Sequence, residues 1–161
     1  GSNFFVLEIF DETVRLDGFS CLRFSDVSKC ECPAPHHEFL RRVLDLRGLR
    51  RSKAPPLNLA TLTEAMRSAK EQELFVSINV QYDDDDDDDA EADLSNVCYV
   101  GRIIAVGRGT VTMHYIDPDA IWDDKPFKVD SGEIYRLDVG GGYEEALLLA
   151  SKTRDELTST S

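Results

Sequence analysis

Leu74-Phe-Val-Ser-Ile-Asn-Val-Gln-Tyr82 alternates without a fault, with Leu74, Val76, Ile78, Val80 and Tyr82 on one side and Phe75, Ser77, Asn79 and Gln81 on the other. Period-two alternation over this length predicts a strand with one apolar face. Toward the C-terminus, residues 97–106 and 110–116 read as the next two strands, joined at Gly107-Arg108-Gly109. After Asp117-Pro118-Asp119 and a loop holding Trp122, residues 127–129 and 133–139 supply two more. Gly140 to Gly142 then release the chain into a helix from Tyr143 to about Lys152, with a frayed end beyond it.

Toward the N-terminus, Thr61-Leu-Thr-Glu64 opens a short helix running to about Lys70, with Thr61 or Thr63 as its cap. Pro55-Pro56 breaks the chain. Residues 36–46 carry Phe39, Leu40, Val43, Leu44 and Leu46 at helical spacing, and Gly48 supplies the stop. Residues 4–10, the pieces around Val14 and Leu16, and Leu22 with Phe24 read as short strands of a meander, separated at Asp11-Glu12 and Asp17-Gly18.

The two strand-rich parts resemble each other. Thr13-Val-Arg-Leu16 matches Thr110-Val-Thr-Met113, Leu22-Arg-Phe24 matches Phe127-Lys-Val129, and Asp26-Val-Ser-Lys29 matches Glu133-Ile-Tyr-Arg136. Five short strands in this order suit an Sm-like or SH3-like small barrel. The expected fold is therefore α+β: two small strand-rich barrel units joined by a helical segment, with a C-terminal helix. The units are residues 3–35, a connector 36–72, a second unit 73–152 with an acidic loop 83–93, and a tail 153–161.

With 161 residues, 42% hydrophobic and 30% charged, the chain can bury a core without disulfides. It has no apolar run near the ~20 residues that a membrane-crossing helix needs. Gly1-Ser2 reads as a cloning remnant, and a cytoplasmic location is expected. Cys21, Cys30, Cys32 and Cys98 follow no secreted framework, so reduced thiols are expected.

The net charge of -13 is lopsided: residues 1–81 hold 11 basic and 11 acidic side chains, residues 82–161 hold 7 and 20. Asp83 to Asp89, with Glu91 and Asp93, read as a solvated loop, because the run lacks the offsets and glycine of a calcium loop. Against this background Arg41, Arg42, Arg47, Arg50, Arg51 and Lys53 form the one basic segment that an anionic partner such as RNA could use. No aromatic residue interleaves with them for base stacking.

Cys30-Glu-Cys32-Pro-Ala-Pro-His36-His37 is the sharpest cluster of potential metal ligands. Cys30 and Cys32 with His36 or His37 would make an open three-ligand zinc site; the alternative is two small thiols beside a helix start, which the Cys-x-Cys spacing favours. Asp117 to Lys128 fails as an EF-hand, with Trp122 at the glycine position and Lys128 at the bidentate position. Trp122, with Asp117 and Asp119, is either a turn that packs over a barrel end or a partner contact. The triple glycine precedes Glu144 and Glu145, which would repel a phosphate from that helix start. His114 has no nucleophile or carboxylate at a diagnostic spacing, so no enzyme and no cofactor are expected.

The stretches Cys98-Tyr-Val-Gly-Arg, Ile116-Asp-Pro-Asp-Ala-Ile-Trp-Asp123, Glu133-Ile-Tyr-Arg136 and Gly140-Gly-Gly-Tyr-Glu-Glu-Ala-Leu147 resemble a family of uncharacterised bacterial proteins. The resemblance implies a bacterial cytoplasmic protein and brings no activity. The Asp run departs from its pattern. The expected function is a non-catalytic interaction or regulatory module with a protein partner and no membrane association, its oligomeric state left open. RNA binding through residues 41–53 stands second, and metal or redox sensing through Cys30 and Cys32 third.

Overall fold

Every apolar side chain of the alternating strand that is buried lies on one side, Val76, Ile78 and Val80, and this side packs on a helix. The computed structural model describes residues 3–49, 53–82 and 95–158. The strands are β1 (Phe4–Phe10), β2 (Leu16–Arg23), β3 (Phe75–Tyr82), β4 (Ser95–Val106), β5 (Thr110–Tyr115), β6 (Phe127–Asp130) and β7 (Ile134–Val139). The helices are α1 (His37–Leu46), α2 (Leu62–Glu71) and α3 (Gly142–Thr158), and Phe24–Asp26 form one 3-10 turn.

All seven strands belong to a single antiparallel sheet in the order β1-β2-β7-β3-β4-β5-β6. The two expected barrel units are therefore corrected to one open sheet with edges at β1 and β6. The cause is β7, which returns to lie between β2 and β3 and so joins the N-terminal hairpin to the C-terminal meander. The proposed internal repeat dissolves with it. Val14 sits in a turn with φ 59°, and the Leu22-Arg-Phe24 segment runs out of a strand into the 3-10 turn. Asp26 to Lys29 form no strand either.

One side of the sheet carries the main core. Leu62, Ala65, Met66 and Ala69 of α2 meet Cys21, Ile78, Met113, Ile134, Leu137 and their neighbours. Thr61 caps α2 by accepting from Glu64 N–H at 3.1 Å, as its sequence pattern predicts. The other side holds a smaller apolar cluster of Val100, Ile116, Ala120 and Leu147 under α3, with Phe75 and Trp122 packed against it.

Two elements depart from the sequence reading for local reasons. Asp17-Gly18 lies inside β2, not at a turn: Gly18 has φ 80°, and a Cβ there would run into the Val139 carbonyl and Gly140. α3 continues past Lys152 to Thr158, through residues that include no glycine or proline to stop it, so the expected tail begins later.

Candidate functional site

On the α3 side of the sheet the register lines up polar residues from four strands. Ser20, Asp138, Ser77 and Val100 are successive cross-strand partners, and Leu22, Arg136, Asn79 and Cys98 form the next row. Direct partners share a face, so these residues form one polar band between apolar flanks. Asp138 organises it. Its carboxylate accepts from the Ser20 hydroxyl, from Asn79 Nδ2 at 3.0 Å and from Arg136 Nε at 2.7 Å. Beside it, the buried Ser77 hydroxyl donates to Glu144 in the first turn of α3.

Every buried side-chain polar atom among the described residues has a partner. The band is thus a satisfied network, its carboxylates held by the Ser20 and Ser77 hydroxyls, the Asn79 amide and the Arg136 guanidinium. Sequence reasoning missed it because Asp138 and Ser20 are 118 residues apart. The signal available was the polar side of β3 itself, Ser77 and Asn79 on a strand whose opposite side is apolar.

The thiols divide by environment. Burial pushes Cys21 up to about 11, with the Asp138 carboxylate adding to the effect. Cys98 is raised by desolvation and by Asp138 and Glu144, against a lowering hydrogen bond from Ser77 and the charge of Arg136. Cys30, Cys32 and Cys98 are all exposed, so Cys98 differs from the first two in its raised pKa and not in access. Thiolate is the reactive form. At pH 8 iodoacetamide should therefore label Cys30 and Cys32 first and Cys98 more slowly, and should reach Cys21 only on unfolding, as mass spectrometry of timed samples would read. A group whose folded pKa is raised stabilises below its unfolded value. The Cys21 contribution should accordingly fade as pH rises from about 9 to about 11.

The sequence candidates fall in three places. Cys30, Cys32 and His36 are exposed on the irregular approach to α1, and His37, also exposed, opens the helix with its Nδ1 3.2 Å from the Ala34 carbonyl. Among the described residues, no group of three or more His, Cys, Asp or Glu side chains is placed to hold a metal ion. Asp117 closes its turn by accepting from Asp119 N–H at 2.9 Å and Ile121 N–H at 2.8 Å, while Asp119 is exposed. Trp122 is half-buried, edge-to-face with Phe75 at 5.8 Å, against His114 at 4.8 Å, with the Arg102 guanidinium 6.0 Å from its ring centre.

Of the basic segment, Arg50 and Arg51 lie outside the described residues, as does the Asp83 to Asp89 run. Arg41 and Arg42 are exposed on α1, where Glu38 and Asp45 stand four residues from Arg42 and Arg41. Arg47 donates through Nη1 to the carbonyls of Thr13 and Val14 and so ties the end of α1 to the β1–β2 turn. The Asp11 carboxylate holds the same turn from inside, accepting from Thr13 N–H at 2.8 Å and Arg15 N–H at 2.9 Å. These donors, Arg15 first, hold its carboxyl below the usual carboxylate range. Lys53 stands at an apolar cleft lined by Phe19, Leu74, Phe75, Val139 and Leu148.

No residue of α1 is buried, although Phe39, Leu40, Val43, Leu44 and Leu46 give it an apolar stripe. Phe39 is 58% and Leu46 81% exposed. The start of α3 is differently placed. Asp17 from β2 accepts from Gly142 N–H at 2.7 Å, so a carboxylate of the chain already occupies the helix N-terminus that follows the triple glycine. No described helix is long and apolar enough to cross a membrane. Compared with known proteins, the chain matches no family model, no curated protein and no solved structure.

Proposed function

We propose that this protein is a non-catalytic interaction module whose partner, another protein, docks on α1 and the β1–β2 hairpin. One observation carries the reading: α1 has an apolar stripe and no buried residue. Leu40, Val43 and Leu44 are half-buried while Phe39 and Leu46 are exposed, so the domain covers this stripe only in part, and a partner would complete the packing of an apolar face from which most helical stability in proteins comes. Six of the ten large hydrophobic side chains left exposed among the described residues fall between Leu7 and Leu46 (Leu7, Phe10, Phe24, Val27, Phe39 and Leu46), which concentrates apolar surface on this part of the molecule.

Charge supports a protein partner over RNA. Arg41 and Arg42 are interleaved with Glu38 and Asp45, and Arg47 is engaged by the hairpin turn, so α1 offers a mixed surface and not a basic stripe. The test places a photo-crosslinking amino acid at Phe39, at Leu46 and, as a control, at Ile104 in the protein expressed in its source cells. Labelled single-stranded RNA is titrated in parallel at two salt concentrations. Expected are adducts to a protein other than this chain from Phe39 and Leu46 alone, lost in Arg42→Glu with Leu40→Glu, and no saturable RNA binding. Salt-sensitive RNA binding abolished by Arg41→Glu with Arg42→Glu would overturn the reading, and so would adducts from Ile104 alone.

A further inference from the structure

Between the 3-10 turn and α1 the chain carries no regular structure. Every residue from Phe24 to Phe39 is exposed, and among the described residues no backbone hydrogen bond joins Ser28 to Pro33 to the rest of the chain. Cys30 and Cys32 stand in this segment with only Glu31 between them, and both thiols are open to solvent. Glu31 forms an ion pair with Lys29, so side chains two positions apart do meet here, and the two cysteines have the same separation. Covalent geometry allows a bond between them. Cα atoms two positions apart are at most about 7 Å apart even in a fully extended chain, and a disulfide spans about 4.4–6.8 Å. Closing it breaks no strand or helix hydrogen bond.

We propose that Cys30 and Cys32 are a reversible dithiol–disulfide site, oxidised by exchange with a low-molecular-weight disulfide. This rests on the thiol pair alone and is independent of the partner assigned to α1. One thiolate attacks a sulfur of the small disulfide, breaking its S–S bond and releasing one half as a thiolate. The second cysteine's thiolate then attacks the protein sulfur of the mixed disulfide and releases the other half. The chain gives up two electrons and the protons of two thiols, and the small disulfide leaves as two thiols. Because the second step is intramolecular, the closed bond is favoured over the mixed disulfide.

The remaining thiols are poor competitors. Cys21 is buried on the α2 side of the sheet, and Cys98 lies opposite Asn79 in the row on the α3 side, so the sheet separates them. Desolvation raises both, which lowers the thiolate that exchange requires. A bond across a single residue closes a loop too short to add much stability, and exposed bridges are the readily reduced ones. The pair therefore serves exchange and not the fold.

The test equilibrates the full chain with reduced and oxidised glutathione over a range of ratios, quenches with N-ethylmaleimide and digests with trypsin for mass spectrometry. Cleavage after Lys29 and Arg41 puts Cys30 and Cys32 on one peptide, apart from Cys21 and Cys98. Expected is that peptide with two hydrogens lost and no maleimide taken up, exceeding its glutathione mixed disulfides about tenfold and reopened by dithiothreitol. Mixed disulfides equal to or above the closed form overturn the proposal. So does a bond from either cysteine to Cys98 or to a second chain in its place, a bond that dithiothreitol does not reduce, or a peptide that stays doubly alkylated at every ratio.

Discussion

Leu137→Ala should lower the free energy of unfolding by about 3–4 kcal/mol, the cost of a large cavity at a site with no solvent exposure. Leu137 lies in β7, where it pairs with Cys21 on β2 and Ile78 on β3, so the cavity opens at the seam between the N-terminal hairpin and the meander. The unfolding of both sides should remain one event. Trp122, the sole tryptophan, reports the meander side through its fluorescence, and Cys21, the one buried cysteine, reports the hairpin through thiol labelling. In urea the two transitions should coincide before and after the substitution. Loss of Cys21 protection at a lower urea concentration than the Trp122 change would mean that the hairpin is a separate unit, against the single sheet.

Asp138→Ala has the second largest expected effect, about 2–4 kcal/mol by chemical denaturation. Its carboxylate is the shared acceptor of Ser20, Asn79 and Arg136, and removing it strands donors on a largely covered surface. Arg136→Ala should cost less than about 1 kcal/mol, because that side chain is 41% exposed and its ion pair is screened. The asymmetry is the diagnostic. Equal costs at the two positions would mean that the polar band is not organised around Asp138. The same substitution relieves Cys21 and Cys98 of a nearby negative charge, so the slow thiol Cys98 should label faster in Asp138→Ala.

Local patterns were enough to determine the local elements. The spacing of Phe39, Leu40, Val43 and Leu44 places α1, Thr61 with Glu64 starts α2, and alternation from Phe75 to Tyr82 and around Gly107-Arg108-Gly109 yields β3, β4 and β5. These signals are contained within a few residues, where side-chain period and capping chemistry act alone. What only the tertiary structure decided was pairing across distance. Nothing near Ile134 to Val139 says that this strand inserts between β2 and β3, and that insertion turns two expected barrels into one sheet. Gly18 shows the same division: a glycine signals either a turn or a close approach, and the passage of Val139 and Gly140 beside it makes it the second. The polar band follows for the same reason. Ser20, Ser77, Asn79 and Asp138 are unremarkable in sequence, and they meet because the register of three strands sets them side by side, where burial obliges each to find a partner.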